Sequence, residues 1–575
     1  SNDFKCPNWW YNEIWTPREI GRLYVVLDSE LTQQEFDQGT GVILMRSGIR
    51  MTGQNKIWLA ANTFVRGALT GDEQLVRDSI TAISGEVVIT TSEGIQPDYS
   101  FHQHGPQQQF GNYGLAFASE SARWIGLVAG TGFAYSPEKV AIIRNYVLEG
   151  EAWVCWRGYM DFSSCGRQLG PNAQLGKGRA VSGVAGALQR LDPEQAADYE
   201  ALITRNQPDA ANDLIGTKYF WRSDYLIARR PDWMASLKLS SNRTIGAEAL
   251  NSENVRGYYT SDGATFFYLN GDEYEAIRPV MDWAAIPGTT LAQSQKKFPW
   301  QGNARVPVDF AGAVSTGQVG VMALDYLRDG VSARKAWVFL PDCVVALGAG
   351  IRASQAITDP IATTLDQREL QGEVWAGSEG QTQLLEQGSH TLPAIRWVWH
   401  DGFGYVFPGP ATVEVFNQPA RGKWTLIEDK ITMPQEEVTA PLFRLALDHG
   451  VDPQAAAYAY IVLPGVTREQ TAERASQLGL TLLANRPKLQ AIRASGGTLV
   501  AAIFWDAGSL EYAPGKRMTA SEACIVALDL AEGRLWASDP TQQLKQLTVT
   551  VAGMPYEVAL PQGGEAGSTV EVVLD

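Results

Sequence analysis

The chain has 575 residues, 45% of them hydrophobic and 19% charged, with 47 basic against 63 acidic side chains for a net charge of −16. That length predicts roughly two to four domains, and the acidic balance argues against nonspecific nucleic-acid binding while leaving room for a locally basic cleft. No apolar run is long enough to span a bilayer, so no membrane partner is expected, and five cysteines without a CxxC pair argue against a disulfide framework or a structural zinc site. Cys155 and Cys165 read as two buried thiols, although an oxidising compartment would let them bridge. Eighteen Trp and twenty Tyr are compatible with stacking on sugar rings, and equally with large cores.

The start Ser1-Asn2-Asp3-Phe4 is polar and lacks the hydrophobic stretch of a signal peptide, as a mature or trimmed form would. Asn8-Trp9-Trp10-Tyr11-Asn12-Glu13-Ile14-Trp15 then places four aromatics in eight positions. Thr16-Pro17-Arg18-Glu19 predicts a helix start, with Thr16 as N-cap, Pro17 at the first helical position and Glu19 closing a capping box. Thr52-Gly53-Gln54-Asn55 reads as a turn into a helix through Ile57, Leu59, Ala60, Phe64 and Val65, where an asparagine is ordinarily a cap. Gly71-Asp72-Glu73 opens the next helix.

The stretch from Ser100 to Gly114, Ser-Phe-His-Gln-His-Gly-Pro-Gln-Gln-Gln-Phe-Gly-Asn-Tyr-Gly, has no period that would bury it as helix or strand. It carries His102, His104 and Tyr113 between helical runs, which is where scaffolds tend to place chemistry. Helices follow over Leu115–Ala129, Pro137–Glu149 and Ala180–Leu191, and the polar loop Trp156–Pro171 between them holds Arg157 and Arg167. This succession of helical hairpins predicts a bundle, a solenoid or a toroid.

Near Lys218 the period becomes alternating. Strands are predicted over Tyr219–Arg230, Trp233–Leu239, Lys335–Leu340, Cys343–Leu347, Ile395–Trp399 and Ala457–Leu463, with a hairpin over Gly257–Leu269 turning at Ser261-Asp262-Gly263. One helix, Thr467–Leu478, interrupts them, and Leu499–Phe504, Ala523–Leu528 and Leu547–Val551 follow as strands. Helices first and strands afterwards predict an α+β multidomain chain with segregated layers: a helical domain over 1–215, a large antiparallel β domain over 216–487 and a small β domain over 488–575.

Several separated motifs point to one chemistry. Asn8-Trp9-Trp10 with Ile14 and Thr16-Pro17, Thr52-Gly53-Gln54-Asn55, Ser100-Phe101-His102-Gln103-His104 with Gly111-Asn112-Tyr113-Gly114, and Gly166-Arg167 occur in that order. In the β region Asn251-Ser252-Glu253-Asn254, Ser261-Asp262-Gly263-Ala264 and Asp282–Thr290 continue the series. Together they resemble polysaccharide lyase family 8, whose members cleave hyaluronan, chondroitin, xanthan and related uronate polymers. The resemblance implies an N-terminal α/α toroid, complete or not, followed by antiparallel β-sandwich domains. It also implies an anionic uronate polysaccharide as partner, a secreted or periplasmic location, and a chain acting as a monomer.

The chemistry implied is removal of the C5 proton, which lies alpha to a carboxylate and is very weakly acidic. Asn55 would neutralise that carboxylate by donating hydrogen bonds. Tyr113, with a reference pKa of about 10, would take the proton as a phenolate poised by neighbouring cations and then protonate the departing O4. His104 would share the base role or hold the carboxylate; His102 reads as structural. Arg167 would supply positive field, fixed by an ion pair to Glu253 reaching in from the β region, in a cleft between domains. Trp9, Trp10 and Trp124 would offer stacking platforms. No cofactor is required, and a structural calcium ion in the β region is compatible with the sequence; no metal site is expected among the catalytic residues.

Two positions depart from the family pattern. Pro171 stands where a second arginine usually follows the first, and proline supplies neither charge nor a backbone donor. Fewer helices precede Asn8-Trp9-Trp10 than the family has, so the toroid is shorter, truncated, or completed by an absent segment. A glycoside hydrolase would need two carboxylates flanking the scissile bond, and Asp98, Asp161 and Glu253 form no evident pair. A non-catalytic glycan-binding protein of the same fold would bind without turnover, and Pro171 is the feature favouring it.

Overall fold

The computed structural model describes residues 5–294, 296–298, 302–354 and 357–574, so the polar start Ser1–Phe4 lies outside the described residues. The chain forms two compact units. One comprises residues 1–105, 109–151 and 183–200; the other comprises 106–108, 152–182 and 201–575.

In chain order the helices before the strands are α1 (Thr16–Leu27), α2 (Gln33–Gln38), α3 (Gly53–Thr70), α4 (Glu73–Gly85), α5 (Leu115–Val128), α6 (Pro137–Asn145), α7 (Ala173–Leu191) and α8 (Ala196–Arg205). In the first unit α3 packs on α4 and α1, burying Ile14, Leu44, Ile57, Leu59, Ile80 and Ile83. Apolar burial of this kind stabilises by about 1.5–3 kcal/mol for each such side chain. α4 starts where Gly71-Asp72-Glu73 predicts a helix, and Asp72 caps it, accepting from the Leu75 N–H at 3.0 Å.

Thr16 is not an N-cap. It has helical dihedrals and continues a widened turn over Tyr11–Trp15, its own N–H bonding back to the Tyr11 carbonyl. Pro17 therefore sits inside a longer helix, and the widened turn in front of it accommodates the residue that cannot donate. α7 begins at Ala173 rather than at Ala180. Gly176 and Gly178 obscured its start, and Gly178 is there because a Cβ would run into the Gly158 carbonyl.

The second unit is antiparallel. Gly216–Phe220, Tyr225–Arg229, Met234–Lys238 and Ala264–Tyr268 form a four-stranded sheet. The predicted strand Tyr219–Arg230 is thus a hairpin, turning through Trp221–Asp224 with Asp224 at φ 47°. The first half of the predicted Gly257–Leu269 hairpin is a tight helical turn, Gly257–Tyr259. Asp262 is drawn away from turn duty by Arg328, which grips it with two hydrogen bonds of 2.8 and 2.7 Å.

A twelve-stranded sheet follows; its long central strands include Phe403–Gly422, Val438–Asp448, Ala456–Pro464 and Val344–Ala353. Thr467 caps the interrupting helix Arg468–Ser476 with a full capping box to Gln470. Six- and four-stranded sheets close the chain around Val500, Phe504, Val526, Leu547 and Val549. Cys155, Cys165, Cys343 and Cys524 are buried and form no disulfide among the described residues, and burial pushes Cys165 up to about 11.

Candidate active site

The first unit assembles three of the expected residues. The turn into α3 carries Met51 at φ 68° and Gly53 at φ 57°. A Cβ at Gly53 would collide with the Gln103 carboxamide, so glycine is required both for its backbone and for that approach. Thr52 has the extended backbone of an N-cap, but its side chain makes no capping bond. Its hydroxyl donates instead to Glu93 at 2.5 Å. The Gly53 N–H at the helix start is taken by the Glu86 carboxylate, which also pairs with Lys56 at 2.6 Å. Asn55 is thereby released from capping. It lies inside the first turn of α3, 4% exposed, with its Oδ1 buried and without a hydrogen-bond partner among the described residues.

The histidine loop is fixed from the same side. Gly94–Ile95 pairs with Phe101–His102, which buries His102 in a structural role. Glu93 then accepts from Gln103 Nε2 at 2.5 Å and from the Gly105 N–H at 2.9 Å, on either side of His104. Gln103 Oε1 in turn accepts from the Gln54 N–H at 3.1 Å. His104 is held at φ 62°, a conformation that non-glycine residues adopt at a cost and that favours functional sites.

Tyr113 lies in a widened turn, Phe110–Gly114, that runs directly into α5. Its ring meets the His104 ring edge-on, centroids 4.8 Å apart, and is 8% exposed. Trp58 packs against Tyr113 at 6.1 Å and against Trp10 at 5.9 Å. Asn55 and Trp58 are three residues apart on α3 and so share a helical face. Trp10, Trp58, Tyr113 and His104 form a continuous aromatic row, and Asn55 lies one helical turn before Trp58. Trp9 beside it is 40% exposed and keeps a face for a ligand.

The second unit places Arg167 and Glu253. Arg167 Nε donates to Glu253 at 2.6 Å and Nη1 to Glu248 at 2.7 Å, all three side chains being buried. Lys430 also pairs with Glu253. The guanidinium is therefore a positioned donor whose charge is balanced by carboxylates on two sides. Glu253 sits in a turn where Asn251, Ser252 and Asn254 all have positive φ, and the turn is tied to the loop just after the helical turn Trp424–Leu426 by Val255 N–H to the Ile427 carbonyl and Asp429 N–H to the Ser252 carbonyl. The arginine loop is gripped at its end too. The Leu169 N–H donates to Glu428 at 2.8 Å, and Arg278 donates to the Leu169 and Gly170 carbonyls. Burial and then the charge of Glu253 push the Glu428 carboxyl up. Pro171, next in the chain, is exposed.

One expectation is corrected. Trp124 is 2% exposed and packs edge-on against Phe64 with centroids 5.0 Å apart, so it is core of the helical unit and offers no stacking face. Its place on the inward face of α5 decides this. Trp58, Glu93, Glu248 and Lys430 were not singled out from the sequence. Trp58 was findable from its spacing to Asn55; Lys430 lies 177 residues from Glu253 and has no local signal. Among the described residues no group of three or more His, Cys, Asp or Glu side chains could hold a metal ion, and this includes the β region where calcium was considered. No helix among them is long and apolar enough to cross a membrane.

Three family models match the chain in order: the N-terminal alpha-helical domain of polysaccharide lyase family 8 over residues 1–205, its super-sandwich domain over 215–475 and its C-terminal beta-sandwich domain over 481–548. The chain is 33% identical to the chondroitinase-AC of Pedobacter heparinus, over 99% of this chain and 83% of that protein. It is 29% identical to the hyaluronate lyase of Thermasporomyces composti, over 94% of this chain and 75% of that one. A solved chondroitinase AC lyase, determined in oligosaccharide complexes, superposes with a TM-score of 0.92 at 31% identity, covering 99% of this chain and 86% of that chain. A Paenibacillus xanthan lyase shares the fold, with a TM-score of 0.86 at 20% identity over 99% of this chain and 61% of that one. With an N-terminal helical domain, antiparallel β-sandwich domains behind it and matching models along nearly its whole length, the chain belongs to polysaccharide lyase family 8.

Proposed function

We propose that this lyase cleaves a uronic-acid-containing polysaccharide, hyaluronan- or chondroitin-like, by β-elimination. The observation that carries the reading is the His104–Tyr113 ring pair, with Trp58 packed on Tyr113 one helical turn after Asn55, whose carboxamide oxygen has no hydrogen-bond partner among the described residues. Asn55 donates to the uronate carboxylate and favours the charge that builds up there when C5 loses its proton. Tyr113 or His104 takes the C5 proton. The electron pair forms the C4=C5 double bond, the C4–O4 bond breaks, and the Tyr113 hydroxyl protonates the departing O4. Arg167, oriented by Glu253 and Glu248, donates to the same polymer. Trp9 and Trp10 stack on its sugar rings. The chemistry needs no cofactor.

The names of the chondroitinase-AC and hyaluronate lyase relatives support the substrate class. Within the same reading we place the protein outside the cytoplasm, as a monomer, with domains over 1–215, 216–487 and 488–575. The hydrolase alternative is disfavoured because the carboxylates it would need are engaged. Asp98 holds the Ser100 N–H and hydroxyl, Asp161 holds Tyr225, Tyr268 and Ser236, and Glu253 holds Arg167 and Lys430.

The test is incubation with a panel of purified uronate polysaccharides while following the ultraviolet absorbance of the unsaturated product. Absorbance that grows with polymer cleavage is expected, and Tyr113→Phe should lower kcat by about 10²–10⁴-fold without lowering Tm. Cleavage that leaves saturated ends would establish a hydrolase, and binding with no cleavage across the panel a glycan-binding protein.

A further inference from the structure

The second unit contains a cavity of about 240 Å³ rimmed by three guanidinium groups, Arg256, Arg421 and Arg444, and one carboxylate, Asp282. Its walls are apolar and include Trp283, Phe416 and Leu442. Such a volume suits a single sugar ring more than the drug-sized ligands that fill pockets of about 300–1,000 Å³. With Glu437 facing Arg421 at 3.6 Å, three cations stand against two anions and still leave a local excess of positive charge on a chain whose net charge is −16. That contrast is an electrostatic preference for an anionic group.

The three arginines play different parts. Arg444 is bound to Asp282 at 2.6 Å and lies over the Phe416 ring at 5.7 Å, so it builds the wall. Arg421 is 74% exposed and faces Glu437 only at 3.6 Å, a loosely held ion pair worth little in water. It is therefore available to an incoming anion.

The cavity is built from the same two chain segments that hold Arg167. Arg256 follows Glu253 by three residues, and Leu426 precedes Glu428 and Lys430. Backbone hydrogen bonds of 2.9 and 2.8 Å join these segments, from Val255 to Ile427 and from Asp429 to Ser252. On the other side Pro279 and Val280 line the cavity directly after Arg278, which grips Leu169 and Gly170 of the arginine loop.

We propose that this cavity is a subsite for one sugar residue bearing a carboxylate or sulfate, in a polyanionic chain that also contacts Arg167. Arg256 and Arg421 receive the anionic group, and the apolar wall takes the face of the ring. This rests on the uronate-polymer reading above, and the two are separated by the test.

The experiment measures binding of hyaluronan and chondroitin sulfate hexasaccharides by calorimetry, at low and at 0.3 M NaCl. It uses Tyr113→Phe as the background so that nothing is cleaved, and adds Arg421→Glu or Arg421→Lys. Expected is a loss of affinity of about tenfold in Arg421→Glu at low salt, a shallower salt dependence, and near-background affinity in Arg421→Lys, with Tm unchanged in both. Equal affinity in the background and Arg421→Glu overturns the subsite while leaving the lyase reading intact, since the parent enzyme still makes unsaturated product. Weaker binding in Arg421→Glu by a parent that cleaves no polymer supports the subsite and removes the lyase reading. If neither hexasaccharide binds the background, the subsite is overturned.

Discussion

Asn55 is where the chemistry and the local structure make the sharpest joint demand. A carboxamide on the first turn of a helix ordinarily serves the backbone, yet here Glu86 takes the Gly53 N–H and leaves Asn55 unclaimed. Asn55→Asp would keep the shape and set a negative charge against the uronate carboxylate. Expected is a fall in kcat/KM of about 10²–10³-fold, the cost of one lost oxyanion-type donor; turnover close to the parent's would remove Asn55 from the mechanism. At this scale the sequence anticipated the Arg167–Glu253 ion pair and the placing of His104 and Tyr113 in one loop, because those residue types are tied to a chemistry. It was silent where the role depends on which side a ring faces. Trp124 looked like Trp9 and Trp10 and is core, whereas Trp58, unremarked, touches Tyr113.

Two elements of the first unit carry Asn55, His104 and Tyr113, the start of α3 and the histidine loop, and one side chain joins them. Glu93 accepts from Thr52 ahead of Asn55 and from Gln103 and Gly105 around His104. Glu93→Ala would release three donors and loosen the spacing between Asn55 and His104, the groups proposed to neutralise the carboxylate and to serve the proton transfer. Kcat should fall by about tenfold or more with KM little changed, as small misplacements of catalytic groups cost. The deuterium isotope effect on a C5-deuterated substrate should rise as well, a readout that a loss of folded enzyme would leave unaltered. Element boundaries were legible where patterning and caps agreed, as at Asp72 and Thr467. They were misread where a local signal was overridden. Pro17 looked like a helix start and lies within a helix behind a widened turn, and α7 begins at Ala173, ahead of the predicted Ala180, with Gly178 packed on the Gly158 carbonyl.

For the whole molecule, two histidines outside the site set a pH limit. Burial lowers His400 to about 3 and His449 to about 4, from an ordinary 6.5. Between those values and 6.5 the unfolded chain binds protons that the folded chain refuses, so stability is complete above pH 6.5 and falls as pH drops. Buried carboxyls such as Asp161 and Glu273, pushed up by burial, act in the opposite sense above the ordinary carboxylate values. The histidine contribution is therefore read as the difference between the parent and a histidine variant over the window from pH 6.5 down to about 5. Tm should decline through that window and decline less steeply in His400→Gln/His449→Gln, whatever its absolute Tm; parallel curves would refute the assignment. The α-then-β order was legible because the period of the apolar residues changes near Lys218. The pairing order of the twelve-stranded sheet was not, since strands such as Ile361–Glu369 and Val438–Asp448 meet across more than seventy residues of sequence.

The collision awaiting any side chain at position 53 has a consequence for how such enzymes diversify. Gly53 belongs to the carboxamide helix and Gln103 to the histidine loop, and each occupies the room the other would need. Neither position can be exchanged by itself: a larger residue at 53 calls for a shorter one at 103, and a shorter one at 103 gives up the hydrogen bonds to the Gln54 N–H and to Glu93. The two segments therefore form a matched pair, and a transplant of either loop into a relative is expected to succeed only when its counterpart travels with it.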